Sequence, residues 1–126
     1  MKTNKSPIRA GFTLVEIMIV VAIIGLLASI AIPNFVKSRA TAQANACINN
    51  LKQIDAAANQ FALEAHKTTG ASISYPSDLT PYIKLNSQNS IPPCPAGGTY
   101  TVGTIGANPQ VTCNLGNSVT PGHVMP

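Results

Sequence analysis

The chain has little with which to do chemistry. Its 126 residues include four acidic side chains and two histidines, too few to build paired catalytic carboxylates or a Ser/His/Asp set that local sequence supports. There is no glycine-rich phosphate loop, and no Cys-x-x-Cys pair or Cys/His run at metal-site spacing. The expectation is therefore no enzyme, no catalytic residue, no cofactor and no metal. Positive charge is also thinner than the net +4 suggests. Lys2, Lys5 and Arg9 precede Gly11 with no acid among them. Beyond Gly11, five bases face Glu16, Asp55, Glu64 and Asp78, and no basic cluster exceeds Lys37/Arg39. That excludes a basic face for nucleic acid.

What the sequence does have is a long apolar run behind a short basic leader. Residues 1–11 are polar and basic, broken by Pro7 and Gly11. Residues 12–32 then carry one charge, Glu16, and as a helix would reach roughly 31 Å, close to the hydrocarbon thickness of a bilayer. The leader bases set the orientation: N terminus cytoplasmic, everything after Ile32 on the far side. A conventional signal peptide, with Ser29 and Ala31 before its cleavage site, is one reading, and an uncleaved anchor is another. Against the first, signal-peptide cores are usually shorter than this run, and a Glu near the start is foreign to them.

The junction itself, Gly11-Phe12-Thr13-Leu14-Val15-Glu16 ahead of the apolar run, resembles the class III signal of type IV pilins and type II secretion pseudopilins. Ala10 stands where that family often has Lys or Arg, with Arg9 one residue away. The resemblance implies cleavage between Gly11 and Phe12 by prepilin peptidase, N-methylation of Phe12, and polymerisation through the apolar helix. It further implies that Glu16 of one subunit pairs with the Phe12 ammonium of a neighbour. Thr13-Leu14-Val15-Glu16 has a simpler reading as a Ser/Thr-x-x-Glu capping box, which accounts for Thr13 and Glu16 but not for the Gly-Phe junction. Gly25 and Pro33 match positions at which the family's helix can locally unwind. Pro33 removes the bond to the Ser29 carbonyl, so a kink or break is expected there.

From Asn34 to Lys67 there is neither Gly nor Pro, and Cys47, Leu51, Ile54, Ala58, Phe61 and Ala65 recur at spacings of four and three. This is the apolar stripe of a helix that needs a cover. Thr68, Thr69 and Gly70 are the expected stop, with His66 near the C-terminal dipole. Beyond Gly70 the composition turns to Ser, Thr, Asn, Gly and Pro. Residues 77–83 read as a short helix or turn presenting Leu79, Tyr82 and Ile83. Residues 99–105 and 110–113 read as strands joined by a turn at Gly106-Ala107-Asn108-Pro109. The tail, 116–126, reads as a loop, with His123 exposed or hydrogen-bonded.

Three cysteines leave one over. A Cys94–Cys113 disulfide would close a loop of about 20 residues and contribute ~3 kcal/mol by chain entropy. Cys47–Cys94 and Cys47–Cys113 are the other pairings, and Cys47 otherwise reads as a packed thiol. After Gly70 only Asp78 is acidic, which leaves no carboxylate set for the calcium that major pseudopilins often hold. Six aromatics after the leader give an electron-conducting filament little to draw on.

The expected fold is α+β and pilin-like: a long N-terminal helix, kinked near Pro33, with a small antiparallel β hairpin on its C-terminal half. The expected divisions are a leader at 1–11, a transmembrane and filament-core helix at 12–33, and a periplasmic or extracellular domain at 34–126. The resemblance implies as partners prepilin peptidase, further copies of the chain, other pilins or pseudopilins, and the inner membrane before assembly. It places the product in a periplasmic pseudopilus or an extracellular pilus. The alternative is a monomeric secreted or membrane-anchored binding domain.

Overall fold

The computed structural model describes residues 10–126. The leader bases Lys2, Lys5 and Arg9, with Pro7, lie outside the described residues. The order of elements is α1 (Leu14–Glu64), a 3-10 turn (Thr80–Tyr82), β1 (Tyr100–Val102) and β2 (Val111–Cys113). The expected α+β arrangement of one long N-terminal helix and a small antiparallel sheet is what the structure shows. The chain divides into two compact units, Met1–Val36 and Lys37–Pro126.

In the first unit α1 is apolar on every side. Val15, Met18, Val20, Ile23, Leu26, Leu27 and Ile30 point in all directions around the helix, and each is more than half exposed. A helix apolar all round finds its solvent in lipid or in other helices, not in water. By length and composition this stretch can cross a membrane. The helix runs through Pro33 without a break, so of the two expectations there the break is not what the structure shows.

The second unit covers the later part of α1. Cys47, Leu51, Ile54, Ala57 and Ala58 are buried against Leu79, Ile91, Cys94, Val111 and Cys113. The stripe expected from the spacing is the one that packs, as far as Phe61, whose ring meets Tyr82 edge-on at 6.2 Å and 61°. Ala65 is exposed instead, because the helix ends one turn earlier than Lys67. His66 takes a left-handed conformation (φ 50°). The Lys67 N–H then reaches back to the Ala62 carbonyl (2.9 Å) and the His66 N–H to the Leu63 carbonyl (3.4 Å). This is a Schellman cap, with His66 in the place usually held by glycine.

The cover is lean. Leu79 is fully buried by a turn in which Asp78 accepts the Ser74 N–H at 2.9 Å. The strands pair antiparallel, Tyr100 with Cys113, Thr101 with Thr112 and Val102 with Val111. Each has only three residues, shorter than 99–105 and 110–113. The first strand stops early because Ile105 pairs elsewhere, donating to Ala71 O (3.0 Å) and accepting from Gly70 N (2.8 Å). Asn50 fastens helix to cover: its Nδ2 faces the Tyr100 hydroxyl at 3.0 Å and the Pro92 and Pro93 carbonyls at 3.4 and 3.3 Å. Each of these acceptors lies in the segment that leads into β1 or in β1 itself.

Candidate functional site

Two places in the chain carry more than packing, one in each unit. The first is the start of α1. Thr13 caps the helix: its hydroxyl oxygen accepts the Glu16 N–H at 3.2 Å. Glu16 reaches back, and its Oε2 accepts both the Thr13 N–H (2.7 Å) and the Thr13 hydroxyl (2.8 Å). This reciprocal pair is a complete capping box. The simpler reading of Thr13 and Glu16 therefore holds within one chain. It does not use the whole carboxylate, because among the described residues Oε1 accepts no hydrogen bond. Phe12 next to it is 87% exposed. Its nitrogen is still an amide joined to Gly11, so in the uncleaved chain there is no ammonium for Glu16 to meet. Gly25 faces open space, with nothing within 4 Å of where a Cβ would stand. Pro33 lies inside α1 and leaves the Ser29 carbonyl without its usual helical donor.

The second place was not legible as a site. Cys47 from α1, Cys94 from the proline-rich segment, Cys113 from β2 and His123 from the tail converge. Their Sγ and ring-nitrogen atoms all lie within 4.8 Å of one another, and all four residues are buried. The three cysteines are free thiols. Cys94 Sγ is 3.4 Å from His123 Nδ1. The tail is thus not a loop in solvent. His123 is 3% exposed, its N–H bonds the Gly116 carbonyl at 2.6 Å, and Met125 packs on the core.

The electrostatics of the cluster are uneven. Burial pushes the Cys47 thiol up to about 12, with hydrogen bonds from Cys94 and Cys113 acting in the same direction. Burial acts on Cys94 as well, yet its thiol titrates below the ordinary value. The backbone N–H groups of Ala96 and Gly98, with the Cys47 and Cys113 thiols, favour its thiolate and outweigh burial. Gly98 serves this arrangement sterically too: a Cβ there would stand 2.6 Å from Cys113 Sγ. Residues 47, 94, 113 and 123 have no metal-site spacing in sequence, so no local pattern could have found them. The one signal was the odd third thiol.

The long helix with its capped start and small β cover is a pilin-like architecture. The family model described as the prokaryotic N-terminal methylation motif matches residues 7–32. The type IV major pilin protein PilA of Myxococcus xanthus is 52% identical over 56 residues, 44% of this chain and 26% of that protein. A fimbrial protein of Pseudomonas aeruginosa is 46% identical over 54 residues, 43% of this chain and 35% of the other. The chain thus spans about a quarter to a third of the length of the pilins it matches. Type II secretion system core protein G of Klebsiella michiganensis is 27% identical over 110 residues, 80% of this chain and 78% of that one. No solved structure matches the chain. The resemblance carried by Gly11, Phe12, Thr13, Leu14 and Glu16 is thereby shown, and it is to both type IV pilins and type II secretion pseudopilins.

Proposed function

We propose that the chain is a prepilin or pseudopilin subunit, cut between Gly11 and Phe12 by prepilin peptidase, methylated at Phe12, and polymerised through α1 into a type IV pilus or a type II secretion pseudopilus. The leader is 1–11, the membrane and filament-core segment 12–33, and the exported domain 34–126. The observation that carries this reading is the bare apolar surface of the first unit. An apolar stretch of 18 residues or more with no residue buried needs lipid before assembly and neighbouring helices after it. Cleavage supplies what the capping box lacks. It turns the Phe12 amide into an ammonium, and the unused Oε1 of a neighbouring Glu16 is its acceptor in an apolar bundle. The pair selects register, because a subunit out of step leaves both charges buried and unpaired. Before assembly the chain is held in the inner membrane with its N terminus cytoplasmic, as the leader bases require.

Mass spectrometry of the mature protein tests this directly. The expected N terminus is N-methylated Phe12. A mature chain beginning at Ile32, or an unprocessed Met1, would overturn the proposal and return the secreted or anchored binding domain.

A further inference from the structure

We propose that Cys47, Cys94, Cys113 and His123 form a closed tetrahedral site for zinc, bound by three thiolates and the imidazole Nδ1. Four groups of metal-ligating chemistry, drawn from four separate segments, bring their ligand atoms within 4.8 Å of one another in the core. With Zn–S bonds near 2.3 Å and Zn–N bonds near 2.0–2.1 Å, a tetrahedron has edges of about 3.5–3.8 Å. The 3.4 Å between Cys94 Sγ and His123 Nδ1 is within about 0.2 Å of such an edge. The donor set selects the ion. Three sulfurs and one nitrogen with no carboxylate suit a thiophilic tetrahedral cation and not calcium or magnesium. Four protein ligands leave no open position, which is the pattern of a structural and not a catalytic zinc.

The chemistry balances without a redox step. Zinc enters as the dication, the three thiol protons leave to solvent, and His123 binds as the neutral ring. The complex carries one negative charge, and the backbone N–H groups of Ala96 and Gly98 stand beside Cys94 to offset it. The site joins α1, the proline-rich segment, β2 and the tail at one point. A unit whose largest fully buried side chains are Leu51, Ile54, Leu79, Val111 and Cys47 has a lean core, to which a metal crosslink would add stability. A disulfide would use two of the four groups and leave a thiol and a buried imidazole without a role. Zinc uses all four.

The test is made on the full chain in detergent. Elemental analysis is expected to find one zinc per chain. Thiol titration of the unfolded, unreduced protein should count three thiols, all shielded in the folded protein until a chelator removes the metal. Cobalt(II) added to the metal-free chain should give the visible bands of a tetrahedral ion and thiolate charge transfer in the near ultraviolet. His123→Ala should keep its helical circular dichroism and lower zinc affinity at least ~100-fold, more than loss of an outer-shell partner does. Cys113→Ser should shift the cobalt charge-transfer band. A single titratable thiol in the unfolded, unreduced chain would show a disulfide and overturn the proposal. So would three free thiols that take up neither zinc nor cobalt, or a His123→Ala variant that binds zinc as tightly as the parent.

Discussion

The two units of this chain solve the problem of apolar surface in opposite ways. Among the described residues of the first unit, the large apolar side chains from Phe12 to Val36 are all exposed. In Lys37–Pro126 the buried apolar side chains form one core in which alanines and cysteines outnumber leucines, although Leu63 and Val124 stay exposed. One helix runs through both, so helix formation itself cannot be what distinguishes them. The difference lies in what covers each face. On the proposed function, the open face would meet lipid and then other subunits and so needs no cover of its own, whereas the second unit buries its face within the chain. Mutations in the two units should therefore fail in different assays.

The largest effect belongs to the open unit. Glu16→Gln keeps an acceptor for the Thr13 N–H, so the capping box survives while the charge goes. Breaking one member of a buried ion pair costs about 3–5 kcal/mol per subunit contact, enough to abolish filaments. The expected result is no filaments by electron microscopy, with urea unfolding of the second unit unchanged. Filaments in normal number would remove Glu16 from assembly. The mirror image is Leu51→Ala. Leu51 is 1% exposed in the core of the second unit, and a buried Leu→Ala substitution costs about 2–5 kcal/mol. The urea midpoint should fall accordingly. Leu27→Ala, in the open unit, should leave that midpoint where it was.

The long apolar helix of the open unit was legible in the sequence, and the covered unit in part. Length and apolar composition made that helix legible because they are properties of a continuous run. The stripe from Cys47 to Phe61 was legible for the same reason: it repeats with the helix. What escaped depends on distant partners or on a single backbone angle. The helix stops at Glu64 because His66 adopts a left-handed conformation, which composition assigns to Gly70. The first strand stops at Val102 because Ile105 pairs with Gly70 and Ala71. His123 is buried because three thiols lie where the tail arrives, and nothing in residues 116–126 announces that.

A smaller effect runs in the stabilising direction. Gln110 is 6% exposed, and its Nε2 is a buried donor with no partner among the described residues. Such an orphan costs about 1–3 kcal/mol. Gln110→Met removes the donor at similar volume, and a rise in the urea midpoint is expected. A fall would mean that the amide has a partner that the fold by itself does not supply.

The smallest effect is the one that separates capping from pairing at the head of the chain. Thr13→Ala deletes the hydroxyl that accepts the Glu16 N–H, and with it one of the two bonds that Glu16 Oε2 accepts. Losing an N-cap costs typically about 1 kcal/mol and frays only the first turn. The Glu16 carboxylate keeps its charge and keeps the Thr13 backbone N–H. If the charge directs assembly, Thr13→Ala filaments form in reduced number at most, while Glu16→Gln forms none. If the cap were the whole role of Glu16, the order would reverse, since glutamine can still close the box and alanine cannot. On the proposed pairing, the capping box seen in the single chain would be the state from which it starts, with Oε2 holding the first turn and Oε1 left for the amine that cleavage would create.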